Sequence, residues 1–134
     1  RINFKVACPL YFGHSHGGNV QKIVTQKLAE QGYSNIVDGI MYLGTPVRDD
    51  YVTNNNVLKI DSSIINVFDS SDFVQKHGEN SYSVPIIGEF GNTGQVIINN
   101  ERVKNIEVEA PSKNALIGDH KTIDSKEVME QLND

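Results

Sequence analysis

The chain has 134 residues, 38% of them hydrophobic and 22% charged, with a formal net charge of −5 at pH 7. That composition suits a single globular domain with a core of its own. An acidic balance without any cluster of lysine or arginine speaks against nucleic acid as a partner. No apolar run approaches the ~20 residues that cross a bilayer.

Val6–Phe12 is a short apolar run of the buried-strand kind. The chain's only cysteine, Cys8, lies in it. A lone cysteine excludes an internal disulfide, and with no base patterned around it Cys8 reads as core rather than nucleophile. The run leads into Gly13-His14-Ser15-His16-Gly17-Gly18 and then into Val20, Ile23, Val24 and Leu28 at helical spacing, with Gly32 as a stop. A strand, a G-x-S-x-G turn and a helix form the context in which a serine is held strained with its hydroxyl exposed. The spacing predicts that Gly13 and Gly17 face one another across the turn, where side chains would clash. The competing reading is a plain glycine turn with Ser15 as a helix cap.

Further along, Ile36–Leu43 reads as a second strand ended by Gly44-Thr45-Pro46. From Gly44 to Leu58 there is no convincing helix, and Asn54-Asn55-Asn56 marks a surface loop. Ile64–Phe68 reads as a third strand closed by Asp69-Ser70-Ser71-Asp72. Lys76–Gly94 reads mostly as loop. Val96-Ile97-Ile98 and Val103–Ile106 flank Asn99-Asn100 and suggest a hairpin. Its second arm continues as Ile106–Glu109, a last strand ended before Pro111. After a loop over Lys113–Asp119, Asp124 or Ser125 is expected to cap a terminal helix carrying Val128, Met129 and Leu132. The expected fold class is therefore α/β, a mainly parallel sheet with flanking helices.

A serine hydroxyl needs a base to take its proton and an anion to orient that base. His14 and His16 adjoin Ser15 in a tight turn and point elsewhere. His120, between the last strand and the terminal helix, is preferred to His77, because strand ends collect catalytic groups in open α/β sheets. For the acid, Asp72 is preferred to Asp69, since Phe73-Val74 follow it and would bury it. The order Ser15, Asp72, His120 is that of the α/β-hydrolases rather than of chymotrypsin or subtilisin.

Taken together, these segments resemble the carboxyl-terminal half of an α/β-hydrolase of the lipase and esterase kind. Gly13–Gly18 is similar to the nucleophile elbow, and Leu43-Gly44-Thr45-Pro46 to a turn common in lipases. Ile65–Val74 resembles the strand and loop bearing the acid, which puts the acid at Asp72, and Gly118-Asp119-His120 falls where the family keeps its base. The resemblance implies residues 1–134 as one truncated hydrolase domain lacking the amino-terminal strands. It implies cleavage of small-molecule or lipid carboxylic esters through an acyl-enzyme, with no cofactor. The backbone N–H of His16 would be the first oxyanion donor. The second donor belongs to a loop that precedes the elbow in complete members, and only Arg1–Gly13 precede Ser15 here. Losing one such donor costs ~10²–10³ in turnover. The chain opens on Arg1 rather than Met and is read as a processed product or an excised segment. The strand before Ser15 is expected to expose an apolar edge, covered by a missing amino-terminal segment or by a second copy.

Two rival readings belong to other classes. His14-Ser15-His16 is a His-x-His pair after a strand, as in metal hydrolases, but Gly18 and Asn19 stand where further ligands would follow. His77, Asp119 and His120 would have to complete that site. The other rival is a non-catalytic remnant that keeps the fold and binds through its surface. Tyr11, Tyr51, Phe73 and Tyr82 are candidates to line an acyl site, although core packing is the commoner use of such residues.

Overall fold

The computed structural model describes residues 10–48, 51–72, 82–84, 88–90, 96–111, 123 and 125–133. Its framework is a four-stranded, all-parallel sheet in the order β1-β2-β3-β6, with β1 Leu10–His14, β2 Val37–Leu43, β3 Leu58–Phe68 and β6 Val103–Glu107. Helix α1, His16–Glu30, follows β1, and helix α2, Lys126–Gln131, lies near the carboxyl terminus. Two short strands, β4 Tyr82–Val84 and β5 Gly88–Phe90, pair antiparallel on their own, inside the region expected to be loop.

Alternation along the strands sends side chains to two cores, one on each face. Ile40, Tyr42 and Ile64 share one face with Val37, Val57 and Leu58, and Leu28 and Ala29 of α1 pack there. Leu43, Val67 and Val108 form the other with Ile123 and Val128, joined by Met129 and Leu132. The central strands β2 and β3 thus pack apolar side chains on both faces, whereas Leu10 and Phe12 of β1 stay exposed.

Helix α1 ends where Gly32 takes φ 84°, with Gly32 N–H bonded to Ala29 O at 2.9 Å and Tyr33 N–H to Leu28 O at 3.0 Å. That Schellman ending satisfies carbonyls the helix leaves open. The terminal helix is capped by Ser125, whose Oγ accepts from Val128 N–H at 3.4 Å.

Three expectations are corrected. Val20, Ile23 and Val24 are 57%, 38% and 37% exposed, so they do not form the buried face of α1. That face carries Gly18, Asn19, Lys22 and Thr25 instead. Asn19 Nδ2 donates to Pro46 O at 3.0 Å and its Oδ1 accepts from Lys22 Nζ at 3.2 Å, with the ammonium 5.5 Å from the centre of the Tyr42 ring. Periodicity of apolar residues misreads a helix whose inner face is closed by hydrogen bonds rather than by aliphatic packing.

The hairpin around Asn99-Asn100 does not form. Val103–Glu107 pairs parallel with β3, and residues 96–100 lie outside any strand. The cause is a side-chain amide pair. Asn66 Nδ2 donates to Asn105 Oδ1 and to Val96 O, both at 2.8 Å. Asn105 in turn accepts from Ile98 N–H at 2.9 Å and donates to Ile98 O at 3.0 Å, taking the backbone bonds a hairpin partner would have made.

The third strand also begins earlier than expected. Its register with β2 jumps from Val37↔Leu58 to Gly39↔Ser63, so residues 59–62 bulge out. Arg102 Nη2 holds the bulge by donating to Lys59 O at 2.6 Å and Ser62 O at 2.9 Å. As expected, no α-helix occurs among the described residues between Gly44 and Leu58. A single 3₁₀ turn over Asn55–Val57 stands there.

Candidate active site

All four parallel strands point the same way, so the segments leaving them gather on one edge of the sheet. The ladder runs one step past each strand. Ser15 N–H donates to Leu43 O, Gly44 N–H to Val67 O and Val108 N–H to Phe68 O, each at 2.9 Å. Ser15, the Gly44-Thr45 turn, the Asp69–Asp72 loop and the residues after β6 therefore share that edge. Ser15 and the Asp69–Asp72 loop are two strands apart, a separation of ~10 Å. Ligands of open α/β sheets bind at this carboxyl end.

Ser15 sits between β1 and α1 with φ 55° and ψ −134°, a region that residues with a Cβ rarely enter. Its side chain makes no capping bond to α1. Ser125, in extended backbone, does cap its helix. The contrast removes the main support for Ser15 as an ordinary cap. Helix α1 starts at the next residue, so its first-turn amides are directed toward the serine's end of the helix.

The glycines of the turn are not used as expected. A Cβ on Gly17 would meet nothing within 4 Å. A Cβ on Gly13 would lie 2.7 Å from both the Cα and the N of Gly18, and one on Gly18 would overlap the Thr45 side chain. The close pair is Gly13 with Gly18, not Gly13 with Gly17. One turn of helix brings the third residue after the serine, rather than the second, back over the strand.

The two candidate acids differ in how they are held. Asp72 is 0% exposed, and its N–H donates to Asp69 O at 3.0 Å. Asp69 is 5% exposed, and both of its carboxylate oxygens accept bonds. Oδ1 takes Ser71 N–H at 2.7 Å and Ser71 Oγ at 2.6 Å, and Oδ2 takes Ala110 N–H at 2.8 Å. Geometry thus separates two aspartates that the sequence left as alternatives: one ties the loop together, the other is enclosed within it.

His120, the candidate base, lies outside the described residues, as do His77, Phe73, Asp119 and Cys8. Among the described residues no three of His, Cys, Asp and Glu come together in a way that would hold a metal ion. No helix among them is long and apolar enough to cross a membrane. Of the residues suggested for an acyl site, Tyr11 packs against the core and the Tyr51 ring stacks 4.9 Å from the Arg48 guanidinium. Thr45 and Gly18 are the site residues that motif reading missed. The signal available was the Leu43–Pro46 turn, whose threonine fills the space a glycine leaves.

Comparison with protein-family models, with curated proteins and with solved structures returned no match. Fold and site together define an α/β protein with an all-parallel sheet, flanking helices and a strained serine at its carboxyl edge.

Proposed function

We propose that the chain carries the nucleophile of a serine hydrolase that cleaves carboxylic esters of the lipase and esterase type. One observation carries the reading: Ser15 occupies a glycine-like backbone conformation at the strand-to-helix turn without capping the helix it precedes. Such strain persists only where surrounding structure enforces it, and it clusters at reactive sites. Buried Asp72 on the same edge adds the carboxylate that a charge-relay set needs.

In this reading Ser15 Oγ attacks the ester carbonyl carbon as the His120 imidazole takes its proton. Asp72 orients the imidazole and balances its positive charge, and the His16 N–H donates to the oxyanion. The imidazolium then gives its proton to the departing alkoxide, leaving an acyl-Ser15 ester. Water, deprotonated by the same imidazole, hydrolyses that ester and restores the serine.

Labelling the folded protein with a fluorophosphonate tests this. Covalent modification of Ser15, abolished in Ser15→Ala, is the expected result. An unreactive Ser15 in the folded protein overturns it.

A non-catalytic binding module is the second reading. In its favour stands the flank formed by β1, an edge strand of the described sheet, whose Leu10 and Phe12 are 69% and 54% exposed. Binding without turnover would leave Ser15 unlabelled while the fold stayed intact.

A further inference from the structure

We propose that Asp69 is a positioning residue for Asp72, locking the loop that carries this acid to the chain leaving β6. The inference rests on the hydrolase reading and deepens it. Three elements meet at this one side chain. Ser71 N–H and Oγ bind Oδ1, which closes an Asx turn over the loop after β3. Asp69 O accepts Asp72 N–H, so the next turn of the loop hangs from the same residue. Ala110 N–H binds Oδ2, fixing the chain as it leaves β6.

The sheet does not make these connections by itself. Among the described residues the last backbone bond along β3 and β6 is Val108 N–H to Phe68 O, at the end of β3 and one step past β6. Beyond that bond the Asp69 carboxylate, 5% exposed, bridges the two segments. Charge-assisted bonds from an ionised carboxylate to backbone amides are among the stiffer links available to a loop. Asp69 therefore fixes the Asp72 loop against the chain leaving β6, and so the placement of the acid.

Asp69→Asn tests this, since it keeps the shape but turns one acceptor oxygen into a donor facing an amide N–H. Hydrolysis of p-nitrophenyl butyrate, per fluorophosphonate-titrated site, should fall on the order of 10- to 100-fold in kcat with KM little changed. The acidic limb of the kcat profile should move to lower pH, because a displaced Asp72 stabilises the imidazolium less well. Asp72→Asn should cost more, ~10⁴-fold.

Should Asp69→Asn not fold, Ser71→Ala removes one bond to the carboxylate and should shift kcat and its acidic limb in the same direction by less. An unchanged kcat and pH profile in the folded variant overturns the positioning role and leaves the hydrolase reading standing. So does a loss at Asp69 larger than at Asp72, which would make Asp69 the acid itself. If wild-type Ser15 is not labelled, the hydrolase reading falls and this inference with it.

Discussion

Gly18 of α1 and Thr45 of the turn after β2 meet so closely that no Cβ fits between them. The contact holds the start of the helix down on the sheet, beside the strained serine that precedes it. Thr45 is fully buried and has little room to retreat. Gly18→Ala should therefore destabilise the fold by about 1–3 kcal/mol through overpacking. Gly17→Ala, with open space around it inside the helix, should instead stabilise it by about 0.5–1 kcal/mol. Urea midpoints of the two variants read the difference. Equal effects would remove the assignment of Gly18 as the packing glycine.

Ser15 and stability should be opposed. Glycine adopts φ 55°, ψ −134° at far lower cost than serine, so Ser15→Gly should gain on the order of 1 kcal/mol while losing all fluorophosphonate labelling. Thermal melts alongside labelling supply both halves of that comparison. A variant less stable than wild type would mean that the turn is relaxed with serine in place.

Tyr42 sets a limit in alkali. Burial pushes its hydroxyl up from 10.0 to about 12, partly offset by the hydrogen bond to Thr53 Oγ1 at 2.7 Å. A folded-state value raised above the unfolded one means that the unfolded chain releases the proton first. Tyr42's contribution is then complete below pH 10 and is lost as pH rises toward 12. The loss should amount to roughly 2–3 kcal/mol. Denaturation curves at several pH values should show a steeper decline in wild type than in Tyr42→Phe. Parallel declines would count against the buried phenol as the cause.

Arg102 acts at the opposite edge from Ser15. Removing its bonds to Lys59 O and Ser62 O in Arg102→Ala should cost about 1–3 kcal/mol and speed amide exchange over residues 59–62. Ser15 labelling per folded molecule should be unchanged. A loss of labelling would show that the bulge and the carboxyl edge are coupled.

Much of the framework was legible in the residues themselves. Ile36–Leu43 and Ile64–Phe68 announce buried strands because a strand covered on both faces must be apolar at nearly every position. Gly32 announces the end of α1 because φ 84° is cheap only for glycine. The strand-turn-helix around Ser15 was legible for the same reason, since local steric demands are written in local composition. Other features were hidden. The polar inner face of α1, the Asn66–Asn105 pair that displaces the hairpin and the Asp69 bridge all depend on partners far along the chain. Asn19 finds Pro46, and Asp69 finds Ala110, 41 positions away.

By itself the sequence determined the α/β class, the tight turn that holds Ser15 and two aspartates in one loop. Only the tertiary structure decided which glycine packs, which aspartate binds the loop together and which lies enclosed. Backbone preference acts between neighbours in the chain, whereas hydrogen bonds and steric contacts act between neighbours in space.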